Sequence, residues 1–435
     1  MNHSLMNIDS KNRPPTPPTR RTLLRLAAAG GTLALLPGCD RHKSEGAGSG
    51  APASSGSAAP SAASARAGPP TITRALVKFP EKTELYMLTD RPPQLETPMK
   101  YFANEITPNE AFFVRWHLAG LQTTIDLDTF RLKLTGHVEQ PLSLSMAELV
   151  KDFEPVSVVA VNQCSGNSRS YFEPQVAGGE WGNGAVGNAK WTGVRLKDLF
   201  AKAGVKAGAV DVSLQGLDRP VLPTTPEFVK SLSYEHANDG EVIVAYAMND
   251  APMPILNGHP LRLIVPGWFA TYWVKSLTDI KVLPEKFKGF WMDTAYRVPD
   301  NPRSNEAPNN LAKKTVPISK MCVRSLFARP QAGEQVKAGQ AYEVRGMAFD
   351  EGHGIKKVDV SSDGGKTWAA AALGRDLGKY SFHKWTYRWN PSGAGPARLM
   401  ARATNNAGDT QPAKPKWNRS GYARNVIEAI DVTVV

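Results

Sequence analysis

The sequence predicts two folded domains of different class: an α+β domain over residues 71–312 and an all-β sandwich over residues 313–435. Three observations carry this reading. The chain has 435 residues, more than one ordinary core accommodates. Helical and strand patterns mix irregularly up to about residue 310, with no repeating strand–helix unit. Beyond that point short alternating segments are separated by turn signals, and "VPDNPRSNEAPNNLAKKTVP", rich in Pro and Asn, marks the boundary.

In the first domain, "FRLKLTGHV" places Phe130, Leu132 and Leu134 alternately with Arg131, Lys133 and Thr135, as a half-buried strand does. "SMAELVKDF" opens with Ser145 and Glu148 at capping-box spacing, which predicts a short helix. "GVRLKDLFAKAG" puts Leu196, Leu199, Phe200 and Ala203 on one helical face and stops at Gly204. "PVSVVAVN", "VIVAYAM" and "LRLIVPGW" read as strands, the last two fully buried. In the second domain, "YEVRGMAFD", "KKVDVSSDGGKTW", "KWTYRWNP" and "ARLMARATN" are strands between turns such as Asp363-Gly364-Gly365 and Asn390-Pro391-Ser392-Gly393. That spacing predicts a sandwich of immunoglobulin type, with "SSDGGKTW" a tight hairpin turn rather than a calcium or sugar loop.

The N-terminus reads as an address and not as part of the fold. "TRRTLLR" carries paired Arg20 and Arg21, followed by an apolar run from Leu23 to Leu36 that is too short for a membrane span. Residues 1–39 are therefore expected to be a twin-arginine export signal and the protein to be periplasmic. "LLPGC" puts Cys39 where a bacterial lipoprotein is cleaved and acylated, so a lipid anchor competes with a simple small-residue cleavage site. Residues 40–70 are dominated by Ser, Ala, Gly and Pro, cannot bury a core and suit a linker.

At 41% apolar and 21% charged residues the composition is that of a soluble globular protein. Five Lys/Arg and one Asp lie in residues 1–39, so +4 of the formal +12 leaves with the signal and +8 stays. A modestly basic body suits an anionic substrate, an acidic partner or a membrane surface. Nucleic acid is not indicated: there is no basic run interleaved with aromatics, no zinc-finger spacing and no P-loop. The three cysteines, Cys39, Cys164 and Cys322, do not staple an exported fold, and no C-x-x-C-H attaches a c-type haem. Cys322 reads as buried and inert. Cys164 differs, since it follows a strand and precedes "SGNSR", a turn rich in backbone donors, with Arg169 five positions on. Three roles are open to it: buried thiol, nucleophile or soft-metal ligand. One protein sulfur is too few for zinc or an iron–sulfur cluster, whereas a pterin dithiolene supplies two sulfurs and needs one ligand from the protein.

"NQCSGNSRSYFEP" resembles the molybdenum-ligand loop of the sulfite oxidase family. "FFVRWHLAG", "GLD" at 216–218, "NGHPLRLIVPG", "TYWVK" and "DTAYR" are similar to further motifs of that family, in order, from about residue 75 to the end. The resemblance implies a sulfite-oxidase-type molybdopterin-binding domain followed by an immunoglobulin-like dimerisation domain, with molybdenum-molybdopterin as cofactor and Cys164 as its thiolate ligand. It implies that Phe113, Val114, Arg115, Trp116 and His117 line the cofactor and the substrate pocket. Asp218, Arg262, Trp273, Val274 and Lys275 match further cofactor contacts, and Asn257 stands where vertebrate sulfite oxidases carry a His. Tyr296 resembles the active-site tyrosine, and Arg424 is a candidate second anion-binding arginine beside Arg115.

The activity so implied is oxidation of sulfite to sulfate. No haem-binding segment is expected in this chain, so the electrons would pass to a c-type cytochrome, either a bound subunit or a soluble one. A homodimer through the C-terminal domain is the implied assembly. Within the same fold, a sulfane dehydrogenase subunit of a thiosulfate-oxidising system is the alternative, and the segment after residue 310 argues against a methionine sulfoxide reductase. A tethered non-catalytic binding protein is the alternative from another class, and it predicts no bound molybdenum.

Overall fold

The structure, a computed structural model, describes residues 74–435. The expected export signal (1–39), the expected linker (40–70) and Cys39 lie outside the described residues. All the described residues fall within one compact unit, which agrees with the core described below.

Three sheets build the first domain. Leu76–Lys78, Glu84–Asp90, Pro93–Glu96 and Val114–Arg115 form an antiparallel meander. A five-stranded sheet runs in the order Val229–Ser233, Asp211–Gly216, Leu277–Leu283, Leu132–Gly136, Leu142–Leu144, with Leu277–Leu283 and Leu132–Gly136 parallel. The third sheet orders Ala251–Pro252, Ile243–Met248, Val186–Arg195 and Val156–Gln163, and Arg262–Ile264 also pairs with Ile243–Met248.

Both predicted helices form. Met146–Asp152 carries the full capping box: Ser145 Oγ accepts from Glu148 N at 3.2 Å, and Glu148 accepts from Ser145 N at 2.8 Å. Leu196–Ala203 buries Leu196, Leu199, Phe200 and Ala203 and ends on Gly204 at φ +64°, a left-handed position suited to glycine. The α+β reading nevertheless overstates the helix. The described residues hold four α-helices, none longer than eight residues, and the domain is dominated by β-structure. The chain between the helices is spent on strands packed on a shared core, where β-branched and aromatic residues fit better than in a helix.

The C-terminal domain is a two-sheet sandwich. One sheet orders Arg324–Arg329, Tyr342–Phe349, His383–Trp389, Ala372–Leu373; the other orders Gln335–Val336, Glu428–Val434, Gly395–Asn405, Ile355–Ser361, Ala369–Ala370. Both contribute to one core, including Phe327, Val344 and Trp385 from the first and Val358, Leu399 and Val432 from the second. At the predicted boundary the chain makes a strand pair, Arg297–Pro299 with Thr315–Pro317, and not an open linker. A second core crosses that boundary, packing Phe102, Val161, Phe228 and Tyr296 with Leu326, Met347, Phe349 and Phe382. Apolar contact of this kind fixes the two domains against each other.

Candidate functional site

Cys164 directly follows the strand Val156–Gln163 and is 8% exposed. Its N–H donates to Ala185 O at 2.9 Å, and its carbonyl accepts from Asn167 N at 3.0 Å. Asn167 Oδ1 in turn accepts from Ala185 N at 3.0 Å, so the turn is closed on both sides. Ser168 takes φ +69°, an unfavourable conformation for a non-glycine residue, held by neighbours: its N–H donates to Gly182 O, and its hydroxyl accepts from Arg324 Nη2 at 2.6 Å. The C-terminal domain thus reaches the loop that carries the thiol. The described residues contain no group of three or more His, Cys, Asp or Glu able to hold a metal, so a metal at Cys164 needs ligands from outside the protein.

Two cavities meet at this residue. The inner one is lined by Phe113, Arg115, His117, Cys164, Ser165, Leu256, Asn257, Arg262, Ala270, Thr271, Lys275 and Tyr296. The outer one shares Arg115, Cys164 and Tyr296 and adds Arg169, Gly178, Gly179, Trp181, Trp291 and Tyr422, among others.

The inner cavity is rich in unpaired polar atoms. Arg115 Nη1, Ser165 Oγ, Arg262 Nε and Thr271 Oγ1 are buried without a hydrogen-bond partner among the described residues. Arg262 is held between the Trp191 and Trp273 rings, at 5.3 and 5.9 Å, and donates to Asn257 O and Asn162 Oδ1. Burial pushes the Arg262 guanidinium down to about 9. Burial, with Arg262 next to it, also lowers Lys275, whose ammonium lies 4.6 Å from the Trp116 ring centroid. Asp218 only partly offsets the Lys275 charge, and Arg262 has no carboxylate partner among the described residues, so these buried cations are costly unless an anion joins them. A phosphate-bearing pterin whose dithiolene supplies the remaining sulfurs fits both the donor set and the lone thiolate.

Around the mouth, His117 Nε2 and Tyr296 Oη are 2.5 Å apart. The imidazole stacks on Phe228, with ring centroids 3.7 Å apart. Burial, then the charges of Arg115, Lys275 and Lys230, hold His117 well below the usual histidine range, so it is neutral. His117 Nε2 and Tyr296 Oη thus share one hydrogen bond whose direction follows the histidine tautomer, and Nδ1 has no partner among the described residues. Tyr296 adopts φ +58° and stacks on Tyr422 at 5.4 Å with planes 3° apart. Burial raises the pKa of its phenol, which stays protonated.

The predicted residues divide into groups. Cys164, Arg115, His117, Tyr296, Phe113, Asn257, Arg262 and Lys275 come together on the cavity walls. Asn257 is locked in place, its Oδ1 accepting from Lys82 Nζ and its Nδ2 donating to Phe113 O at 3.2 Å. Val114, Trp116, Asp218, Trp273 and Val274 do not line the cavity. Val114 and Trp116 pack in a small core of their own, Trp273 and Val274 are buried in the main core, and Asp218 couples electrostatically to Lys275. Cys322 is half-buried just before the strand Arg324–Arg329, not fully buried as expected, and lines neither cavity.

Arg424 is a correction: it lines neither cavity. Its Nη1 donates at 2.7 Å to Glu428, 4% exposed, which also takes Arg324 at 2.7 Å. A buried carboxylate captures the nearest guanidinium, and spacing along the chain does not reveal that. Arg169 faces the outer cavity instead. Its guanidinium lies 5.0 Å from the Tyr422 ring centroid and has no carboxylate within 4.0 Å among the described residues. The sequence signal was present, five residues after Cys164. The missing information was the slot: a Cβ on Gly166, Gly178 or Gly421 would come within 2.7, 2.5 and 2.8 Å of Arg169 side-chain atoms. Lys230, fully buried behind Tyr296, was also missed and carries no local signal.

Comparison with known proteins agrees with this geometry. Residues 119–291 match the oxidoreductase molybdopterin binding domain, and residues 315–434 match the Mo-co oxidoreductase dimerisation domain. The chain is 30% identical to sulfite oxidase of Gallus gallus over 362 residues, covering 79% of this chain and 76% of that protein. It is 32% identical to mitochondrial sulfite oxidase of Homo sapiens over 367 residues, 79% of this chain but 63% of that protein, so it spans less than two thirds of the mitochondrial relative. The sulfane dehydrogenase SoxCD structure from Paracoccus pantotrophus superposes with a TM-score of 0.66 at 22% identity, covering 83% of this chain and 90% of that one, which establishes the shared fold. The chain belongs to the sulfite oxidase family of molybdopterin oxidoreductases.

Proposed function

We propose that the protein oxidises sulfite to sulfate at a molybdenum-molybdopterin centre and passes the electrons to a c-type cytochrome. The observation that carries this reading is the meeting of the two cavities at Cys164: an inner one lined with unpaired donors for the cofactor, and an outer one where Arg115 and Arg169 have no carboxylate partner among the described residues and can meet an anion. Cys164 would hold the metal, and Arg262, Lys275, Thr271 and Ser165 the polar groups of the pterin. When bound, the centre supplies two-electron redox chemistry beside the Cys164 sulfur. Sulfite and water become sulfate, two protons and two electrons.

The chain's residues do the rest. Arg115 and Arg169 bind the anion, each presenting a planar fork to its oxygens. In this reading neutral His117 donates its Nε2–H to Tyr296 Oη, which leaves the phenol O–H free to donate to the anion and orient it. Trp291 and Tyr422 narrow the mouth and limit water. Gly166→Ala should therefore displace Arg169 and raise the KM for sulfite about tenfold, the worth of roughly one charge-assisted hydrogen bond, with molybdenum content unchanged. An unchanged KM would remove Arg169 from the anion site.

Export by the twin-arginine route, a periplasmic location and a lipid anchor at Cys39 remain part of the proposal, as does a homodimer through the C-terminal domain. The strand orders of the sandwich support an immunoglobulin-type assignment: numbering its strands from Arg324–Arg329, they run 1-3-7-6 and 2-9-8-4-5. The experiment is sulfite-dependent reduction of cytochrome c by protein produced in a cofactor-competent host. Turnover supports the reading. A molybdenum-loaded protein inert to sulfite would instead favour a sulfane-sulfur substrate.

A further inference from the structure

Lys230 sits on the strand Val229–Ser233 and is 0% exposed. Its Nζ donates to the backbone carbonyl of Trp291 at 2.6 Å. The same ammonium lies 4.6 Å from the Tyr272 ring centroid and 5.2 Å from that of Tyr296. No carboxylate lies within 4.0 Å of it among the described residues. Tyr272 is itself fixed, its hydroxyl donating to Ile318 O at 2.5 Å. Two aromatic faces and one carbonyl are therefore all that offset this buried charge. Such a group destabilises a fold unless its charge is used, because an apolar side chain of the same length would pack there without desolvation cost.

The surroundings indicate the use. Tyr296 lines both cavities and Trp291 lines the outer one, so Lys230 stands one ring behind the place where an anion would sit. We propose that Lys230 is a positioning residue for the anion: it pins Trp291 at the mouth and, from behind the Tyr296 ring, supplies the positive field that draws negative charge towards Tyr296. The proposal rests on the anion-oxidising reading of the same site. Burial alone pushes the Lys230 ammonium down to about 7, consistent with a cation whose compensating charge is to come from a ligand.

Two variants separate the pin from the charge. Lys230→Met removes both, whereas Lys230→Gln keeps a donor for Trp291 O without the charge. Sulfate titrated calorimetrically into the molybdenum-loaded protein should bind about tenfold more weakly to both variants, as expected for a cation acting across several ångströms of protein. The melting temperature of Lys230→Met should stay the same or rise, since a buried charge has been removed. Wild-type sulfate affinity in Lys230→Gln would overturn the field role, and so would a lowered melting temperature in Lys230→Met with unchanged sulfate affinity. If Lys230→Met does not fold, that too counts against the proposal, because it makes the lysine structural. Sulfite turnover by the unaltered protein is assayed separately. Its absence, with sulfate binding still weakened by both variants, sinks the sulfite reading and leaves the role of Lys230 standing.

Discussion

Cys164→Ser abolishes sulfite turnover while the protein stays folded: this is the largest effect expected. Partners one shell outside a metal's ligands already cost 10–100-fold, so loss of the proposed protein ligand should cost more than about a hundredfold. The backbone does not depend on the sulfur. Cys164 is held through its N–H to Ala185 and its carbonyl to Asn167, contacts a serine keeps. Its side chain packs in the main core, so the substitution should cost about 1–2 kcal/mol, well within the stability of a domain pair with a shared core. Circular dichroism should be unchanged, molybdenum content should fall and activity should vanish together with it. A serine variant that turns over normally would remove the thiolate from the account.

Arg115→Gln is expected to lower kcat/KM for sulfite by roughly 10²–10³, the worth of two charge-assisted hydrogen bonds at about 1.5–3 kcal/mol each, discounted for the amide that remains. Most of the loss should be in KM. The prediction rests on position: Arg115 lines both cavities with Cys164 and Tyr296, and its Nη1 has no partner among the described residues. An arginine so placed contributes little to the fold, so the melting temperature should hardly move. A threefold or smaller change in kcat/KM would contradict the assignment, and a collapse in stability would recast Arg115 as structural.

What was legible in the sequence was local. The capping box at Ser145 and Glu148, the stop at Gly204 and the strand alternation in both domains follow from neighbours a few residues apart, and the structure has each. Cys164, Arg115, His117 and Tyr296 were found through ordered motifs, and they converge on one pair of cavities. What stayed hidden depends on long-range contacts. Arg169 fits a slot that needs Gly421, from the other domain, as well as nearby Gly178, and Arg424 is withdrawn by Glu428, four positions on, whose burial beside Arg324 from another strand the local sequence does not reveal. Lys230 looks like a surface lysine until Tyr272, Tyr296 and Trp291 close over it. The core shared by the two domains is invisible for the same reason, since neither domain's alternation pattern says which outer face meets a neighbour.

The central claim is that one protein thiolate, Cys164, completes a pterin-bound molybdenum. Elemental analysis of the purified protein, produced in a host that makes the cofactor, tests it most directly. The account predicts about one molybdenum per chain in the unaltered protein and a clear loss in Cys164→Ser; a folded, unaltered protein without molybdenum would contradict it.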